Sequence, residues 1–247
     1  MQIIAIANQK GGVGKTTTTI NLGASLARLG KRVLLVDLDP QANTTSGLGQ
    51  PKTHAVSIYE LLFEPENVQS ALVETNGLTI IPGRPDLAAA EVELVGELGR
   101  EQKLKQLLAK LDFDYVLIDC PPSLGLLTVN ALTAANSVLI PVQAEYYALE
   151  GLSQLMTTIQ RVRQALNPQL SVLGVLLTMV DGRTSLSSQV HAQVKQHFGD
   201  RVFETVVPRN VRLAEAPSHG VPAVDHDKWS KGARAYKGLA KEVMNRG

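Results

Sequence analysis

One short segment constrains this chain more than any other. Gly11-Gly12-Val13-Gly14-Lys15-Thr16-Thr17 stands between an apolar run ending near Asn8 and an amphipathic run beginning at Lys15. Glycines permit a backbone whose amides all turn toward one point, with no side chain in the way of an approaching anion. A helix starting directly behind the loop adds its free N–H groups and the positive end of its dipole. In that reading Lys15 reaches the β- and γ-phosphates of a nucleotide and the Thr16 hydroxyl ligates Mg²⁺. The alternative is a glycine-rich turn that holds no nucleotide. The segment departs from the general Gly-x4-Gly-Lys-Thr pattern at its start, where a second lysine, Lys10, precedes the glycines.

The rest of the chain repeats the same strand–helix alternation, which predicts stacked βαβ units on a mostly parallel, twisted sheet flanked by helices. Strands are expected at 2–8, 32–37, 78–82, 115–119, 137–141, 170–179 and 202–207. Helices are expected at 15–29, 57–62, 85–111, 124–134, 147–166, 187–198 and 232–245, the third broken near Gly96 or Gly99 because glycine costs roughly 1 kcal/mol in a helix interior. Hydrophobic content of 44% suffices for a sizeable core, and only 4% aromatic residues suits the aliphatic interior of a parallel sheet. No linker or repeat divides the 247 residues, so one domain over 1–247 is expected. The lone Cys120 follows a strand and reads as a buried, inert thiol. No signal peptide or bilayer-length apolar run is evident, which predicts a cytoplasmic protein. Charge is uneven: residues 183–247 carry 11 Lys or Arg against 6 Asp or Glu, and the remainder 13 against 17. An anionic partner is therefore sought near the C-terminus, although a solvated helix face gives the same tally.

Three further motifs follow. Val33-Leu-Leu-Val-Asp-Leu-Asp-Pro-Gln-Ala-Asn ends a strand in Asp37 and Asp39, at the edge where open α/β sheets bind ligands. The two carboxylates are expected to face different sides and to do different jobs. Val116-Leu-Ile-Asp-Cys-Pro-Pro ends an apolar strand in Asp119, suited to holding Mg²⁺ through water or, alternatively, to capping the next turn. Val207-Pro-Arg-Asn-Val-Arg-Leu-Ala-Glu-Ala-Pro-Ser-His-Gly completes the set. Together with Lys10-Gly-Gly-Val-Gly-Lys-Thr these motifs, in this order and across essentially the whole chain, resemble the deviant Walker A ATPases of the ParA/MinD family. The last motif is similar to that of the chromosome-partitioning ParA/Soj branch.

The resemblance implies a three-layer P-loop NTPase fold and an ATP hydrolase that uses ATP and Mg²⁺. It gives Lys10 a role across an ATP-sandwich homodimer, neutralising charge on the partner's transferred phosphoryl group as an arginine finger does; a solvated surface lysine is the alternative. It implies catalytic roles for Lys10, Lys15 and Asp39, with Asp39 on the attacking water. Nucleotide contacts fall to Lys10, Gly11, Gly12, Val13, Gly14, Lys15, Thr16 and Thr17, and metal contacts to Thr16, Asp37 and Asp119. Pro208 and Asn210 lie against the base, with Met179 as an apolar wall, although Asn210 also suits a turn with local backbone bonds. The stiff Pro121-Pro122-Ser123 segment suits sensing of the γ-phosphate. Arg183 and Arg212 match positions that the branch uses for non-specific double-stranded DNA, and Lys228, Lys231, Arg234 and Lys237 could widen that surface or be merely solvated. The implied function is nucleoid-associated chromosome or plasmid partitioning, with hydrolysis stimulated by a ParB-like partner. Positioning of a protein cargo, such as a carboxysome or chemotaxis cluster, is the alternative within the same chemistry. A MinD-like membrane ATPase is the third reading, but the tail 235–247 has few bulky apolar side chains and is expected to pack against the sheet rather than on a membrane. No helix-turn-helix segment is evident before the first strand.

Overall fold

The computed structural model describes residues 1–145 and 150–246. Seven strands form one sheet: β1 (Gln2–Ile6), β2 (Val33–Asp37), β3 (Val73–Thr75), β4 (Leu78–Ile81), β5 (Tyr115–Asp119), β6 (Ser137–Gln143) and β7 (Ser171–Thr178). Their order is β3-β4-β2-β5-β1-β6-β7. All pairings are parallel except that of β3 with β4. The central β1 lies between β5 and β6, so the glycine-rich loop leaves the sheet beside the end of β5, where Ile6 is in register with Asp119.

Eleven α-helices are described: α1 (Lys15–Arg28), α2 (Asn43–Gly47), α3 (Ile58–Phe63), α4 (Leu87–Glu93), α5 (Lys103–Leu108), α6 (Leu126–Ala134), α7 (Glu150–Ala165), α8 (Ser185–Phe198), α9 (Val211–Glu215), α10 (Ala223–His226) and α11 (Lys231–Arg246). Alternation along the strands feeds two cores. Ile4 and Ile6 of β1, with Leu35 and Leu117, pack under α1 and α11; Ile3 and Ala5, with Leu34, Val36 and Val116, pack under α3 to α8. Each fully buried aliphatic side chain contributes about 1.5–3 kcal/mol, which is why continuously apolar strands such as Val33–Val36 must be covered on both faces. This is the expected three-layer α/β arrangement.

α11 buries Tyr236, Leu239, Ala240 and Val243 against α1, and a buried hydrogen bond joins Thr18 Oγ1 to the Tyr236 hydroxyl at 3.1 Å. The C-terminal helix is therefore part of the packing, as the tail's composition suggests. The interval 85–111 breaks as expected: α4 tightens into a 3₁₀ turn over Leu94–Gly96, and α5 begins only at Lys103. The start of the helix expected from Tyr147 lies outside the described residues.

Two expectations fail. Residues 202–207 do not form a strand; they meet β7 through one isolated bridge, Val202 to Val175, and through the Phe203 and Val207 amides, which donate to the Val175 and Leu177 carbonyls at 3.0 and 2.8 Å. The amides of Glu204 and Thr205 donate instead to the Glu242 carboxylate of α11, at 2.9 and 3.1 Å, and so leave the ladder. The antiparallel β3 is unanticipated. It turns into β4 through Asn76 and Gly77, both at positive φ (52° and 72°), the backbone a tight hairpin requires.

Candidate functional site

The glycine-rich loop closes at the C-terminal edge of β1. Gly12 and Gly14 adopt φ of 74° and 91°, which side-chain-bearing residues rarely reach, and Gly14 caps α1 so that its first amides face the loop. Val13 turns its side chain into the core, leaving only backbone to the loop's interior. The Val13 carbonyl accepts from Thr178 Oγ1 at 2.8 Å, and Asn8 ties the loop to β6 by donating to Pro141 O at 2.7 Å. Lys15 is largely buried and donates to the Lys10 carbonyl at 3.3 Å. Burial lowers its pKa, an effect the Asp119 carboxylate opposes.

Beneath the loop sit the carboxylates of β2 and β5. Asp37 and Asp119 are register partners on adjacent strands and fully buried. Asp119 Oδ2 accepts from Thr16 Oγ1 at 2.8 Å and Thr44 Oγ1 at 2.7 Å, and Asp37 Oδ2 accepts from the Thr45 amide and hydroxyl at 2.8 and 2.6 Å. The other oxygen of each, Oδ1, is buried without any hydrogen-bond partner. Both carboxyls titrate well above the usual range, chiefly because burial disfavours their charge; at Asp37 the neighbouring Asp119 adds to the effect. Two orphaned carboxylate oxygens beside a threonine hydroxyl suit a divalent cation. Among the described residues no cluster of three acidic, histidine or cysteine side chains would ligate one unaided. That donor set fits Mg²⁺, which keeps waters and takes its remaining ligands from phosphate.

Asp39 behaves differently from Asp37, not through alternation, which sets residues two apart on one face, but because it lies beyond the end of β2. It lines an open cleft of ≈ 310 Å³ together with Gly11, Gly12, Gly14, Lys15, Thr16, Thr17, Pro122 and Met179. Its Oδ1 accepts from the Gln41 amide at 2.9 Å. Asp37 and Asp119 do not reach the cleft surface themselves; Asp119 meets it through Thr16. A second, largely apolar pocket of ≈ 190 Å³ adjoins at Gly14 and Thr17, walled by Met179, Val207, Pro208, Asn210, Leu213 and Tyr236. The three residues expected at the base thus share one pocket beside the phosphate loop. Asn210 Oδ1 already accepts from the Arg212 amide at 3.1 Å and caps α9, so Nδ2 is the polar group left for a base. Two non-glycine residues at positive φ flank these cavities, Ala42 before α2 and Met179 after β7, the kind of backbone strain that gathers at binding sites.

The cations expected to act outside the chain are held by acids within it. Lys10 Nζ lies 3.7 Å from Glu145, which Arg209 also approaches at 4.0 Å. Arg183 is highly exposed (89% of its side chain) yet forms a two-pronged pair with Asp181, at 2.9 and 2.8 Å. Arg212 pairs with Glu215 at 2.8 Å and with Asp227 at 3.5 Å. Lys228, Lys231, Arg234 and Lys237 are exposed, and none pairs with a carboxylate among the described residues. Cys120 is buried and its thiol is pushed far up by that burial, in keeping with an inert role.

Sequence reasoning missed Thr44, Thr45 and Thr178. The pair Thr44-Thr45 immediately follows the Asp37–Asn43 motif, which is the signal that could have found it. Thr178, the last residue of β7, directly precedes Met179.

Comparison with known proteins agrees with this geometry. Residues 1–172 match the model of the AAA domain family. The chain is 57% identical to the sporulation initiation inhibitor protein Soj of Bacillus subtilis, covering 100% of this chain and 99% of that one. It is 56% identical to the chromosome-partitioning ATPase Soj of Thermus thermophilus, covering 98% and 95%. A crystal structure titled cobyrinic acid a,c-diamide synthase from Mycobacterium smegmatis, with bound ATP analog and magnesium, superposes with a TM-score of 0.87 at 44% identity over 98% of this chain and 93% of that one. With full-length identity of this order and the second lysine ahead of its phosphate loop, the chain belongs to the Soj/ParA family of chromosome-partitioning ATPases.

Proposed function

We propose that this protein is an ATP hydrolase whose nucleotide state governs dimerisation and, through it, binding to DNA. One observation carries the reading. The glycine-rich loop, Lys15, Thr16 and the orphaned Asp37 and Asp119 oxygens converge beneath a cleft that continues into the apolar pocket of Met179, Pro208 and Asn210. A nucleoside triphosphate would lie with its base in the pocket, its phosphates along the Gly11–Thr17 amides and Lys15 on the β- and γ-phosphates. Mg²⁺, held by Thr16 and through water by Asp119, would neutralise phosphate charge. Asp39, at the cleft surface, orients the attacking water. Lys10 leaves Glu145 and enters the nucleotide site of a second copy, completing it only in the dimer.

Exposed guanidinium groups of Arg183 and Arg212 would meet phosphates without reading bases, and the unpaired cations around α10 and α11 extend that face. A ParB-like partner would accelerate hydrolysis and return the protein to the monomer. Support for a partitioning role comes from relatives 56% and 54% identical that bear such names; the 44% identity of the synthase structure is lower. A MinD-like membrane role loses support because the apolar face of α11 is buried against α1.

The test is a gel shift with ATP and the Asp39→Ala variant. Salt-sensitive retention of DNA of any sequence is expected, steep because counterions are released. No retention by that variant would refute the reading.

A further inference from the structure

The outer side of α4 is apolar. Among the described residues six large apolar side chains are exposed, and three of them, Val92, Val95 and Leu98, fall in this one stretch at 75%, 58% and 95% exposure. Exposed Ala88 and Ala89 extend the stripe toward the start of the helix, while Leu87, Ala90 and Leu94 are buried beneath. A helix lying on a sheet ordinarily turns charged side chains to water. Here the charges sit at the margins: Asp86, Glu91, Glu93 and Glu97, with no lysine or arginine between residues 85 and 99.

A second observation connects this face to the nucleotide cleft. Glu91 Oε1 is buried without a hydrogen-bond partner, and it occupies the space that a Cβ on Gly125 would take. Gly125 precedes α6 and ends the loop that leaves Asp119 through Pro122, a wall of the cleft. The Glu91 carboxylate thus sits against the loop through which docking on α4 would reach the cleft.

We propose that α4 and the turn after it form a docking surface for a cationic amphipathic segment of a partner protein. Its aliphatic side chains would cover Val92, Val95 and Leu98, and its lysines or arginines would meet Glu93 and Glu97. A second copy of this chain is a poor occupant, because two-fold pairing would set against each other two patches that carry acids and no lysine or arginine. The docking surface stands on the exposed stripe and its charges; only its effect on hydrolysis rests on the ATPase reading above.

The full chain would be titrated with two synthetic helical peptides that share a leucine face but are flanked by lysines in one and by glutamates in the other, followed by fluorescence anisotropy. Only the lysine-flanked peptide should bind. Val92→Asp or Leu98→Asp should weaken it about tenfold, with the melting temperature as a control for folding. Glu93→Lys with Glu97→Lys should transfer the preference to the glutamate-flanked peptide. Equal binding of both peptides, or full binding by Val92→Asp, overturns the proposal. So does sedimentation of the wild type as a dimer that Val92→Asp dissociates, which would assign the face to a second copy. Peptide binding that leaves hydrolysis unchanged in an active ATPase removes the Glu91 link. A chain that binds the peptide as described but hydrolyses no ATP defeats the ATPase reading and leaves the docking surface standing.

Discussion

The two halves of the candidate machinery are built in opposite ways. Around the glycine-rich loop, function rests on buried groups: Asp37 and Asp119 are held by short hydrogen bonds, and they and Lys15 lie in a setting that disfavours their charges. Around α9 to α11 it rests on exposed cations, and Arg212 there, like Arg183 before α8, is paired with acids on its own chain. Buried electrostatics are strong and indifferent to salt, whereas exposed pairs contribute little and are screened. Chemistry thus sits where geometry is fixed, and partner binding where a small change in occupancy decides the outcome.

The largest effect expected on the buried side is loss of Lys15. Lys15→Ala should lower kcat/KM for ATP by about 10²–10³-fold, and a variant within a few-fold of wild type would place the catalytic charge elsewhere. Thr178→Val removes the hydroxyl that satisfies the Val13 carbonyl, so the loop should lose about 1–2 kcal/mol of stability. Thermal unfolding reads the loss, and nucleotide affinity should fall with it.

A pH profile sharpens the contrast further. Asp37 and Asp119 hold protons to higher pH in the folded chain than in the unfolded one, because burial and, at Asp37, the neighbouring carboxylate disfavour charge. Their stabilising contribution is complete below the ordinary carboxylate range and is lost as pH rises toward neutrality. Nucleotide-free protein should therefore lose stability over that interval, and Asp37→Asn should flatten the slope. An unchanged slope in the variant would mean that the pair is not what titrates.

The smallest effect lies on the exposed side. Asp181→Asn should free Arg183 and raise DNA retention about twofold to fivefold, an advantage that high salt erases. If the variant binds DNA more weakly, Asp181 orients the guanidinium rather than masking it.

Legibility in the sequence follows the same division. The strand Tyr115–Asp119 emerges at its expected bounds because both faces are buried and its apolar run is unbroken. The phosphate loop was equally readable, since few backbones other than a glycine-rich one can turn every amide inward. The threonines on Asp37 and Asp119 were not, because they arrive through α2, whose entry depends on Ala42 at a φ of 50° that its residue type does not advertise. The strand expected at 202–207 failed for a non-local reason, capture of two amides by Glu242 some forty positions later. The hairpin at Asn76-Gly77 had a local signal, but β3 is only three residues long. Masking of Arg183 by Asp181 is local, yet the spacing Asp181-Gly-Arg183 alone does not distinguish a masked arginine from a free one.

Both halves meet at Lys10, which lies at the mouth of the buried site but is held by Glu145 at the surface. The decisive measurement is sedimentation of the ATP-loaded Asp39→Ala protein with and without Lys10→Ala, in the presence and absence of DNA. The account predicts a dimer that retains DNA when Lys10 is present, and a monomer that does not when it is replaced. ATP-dependent dimers that form and bind DNA equally well without Lys10 would contradict it.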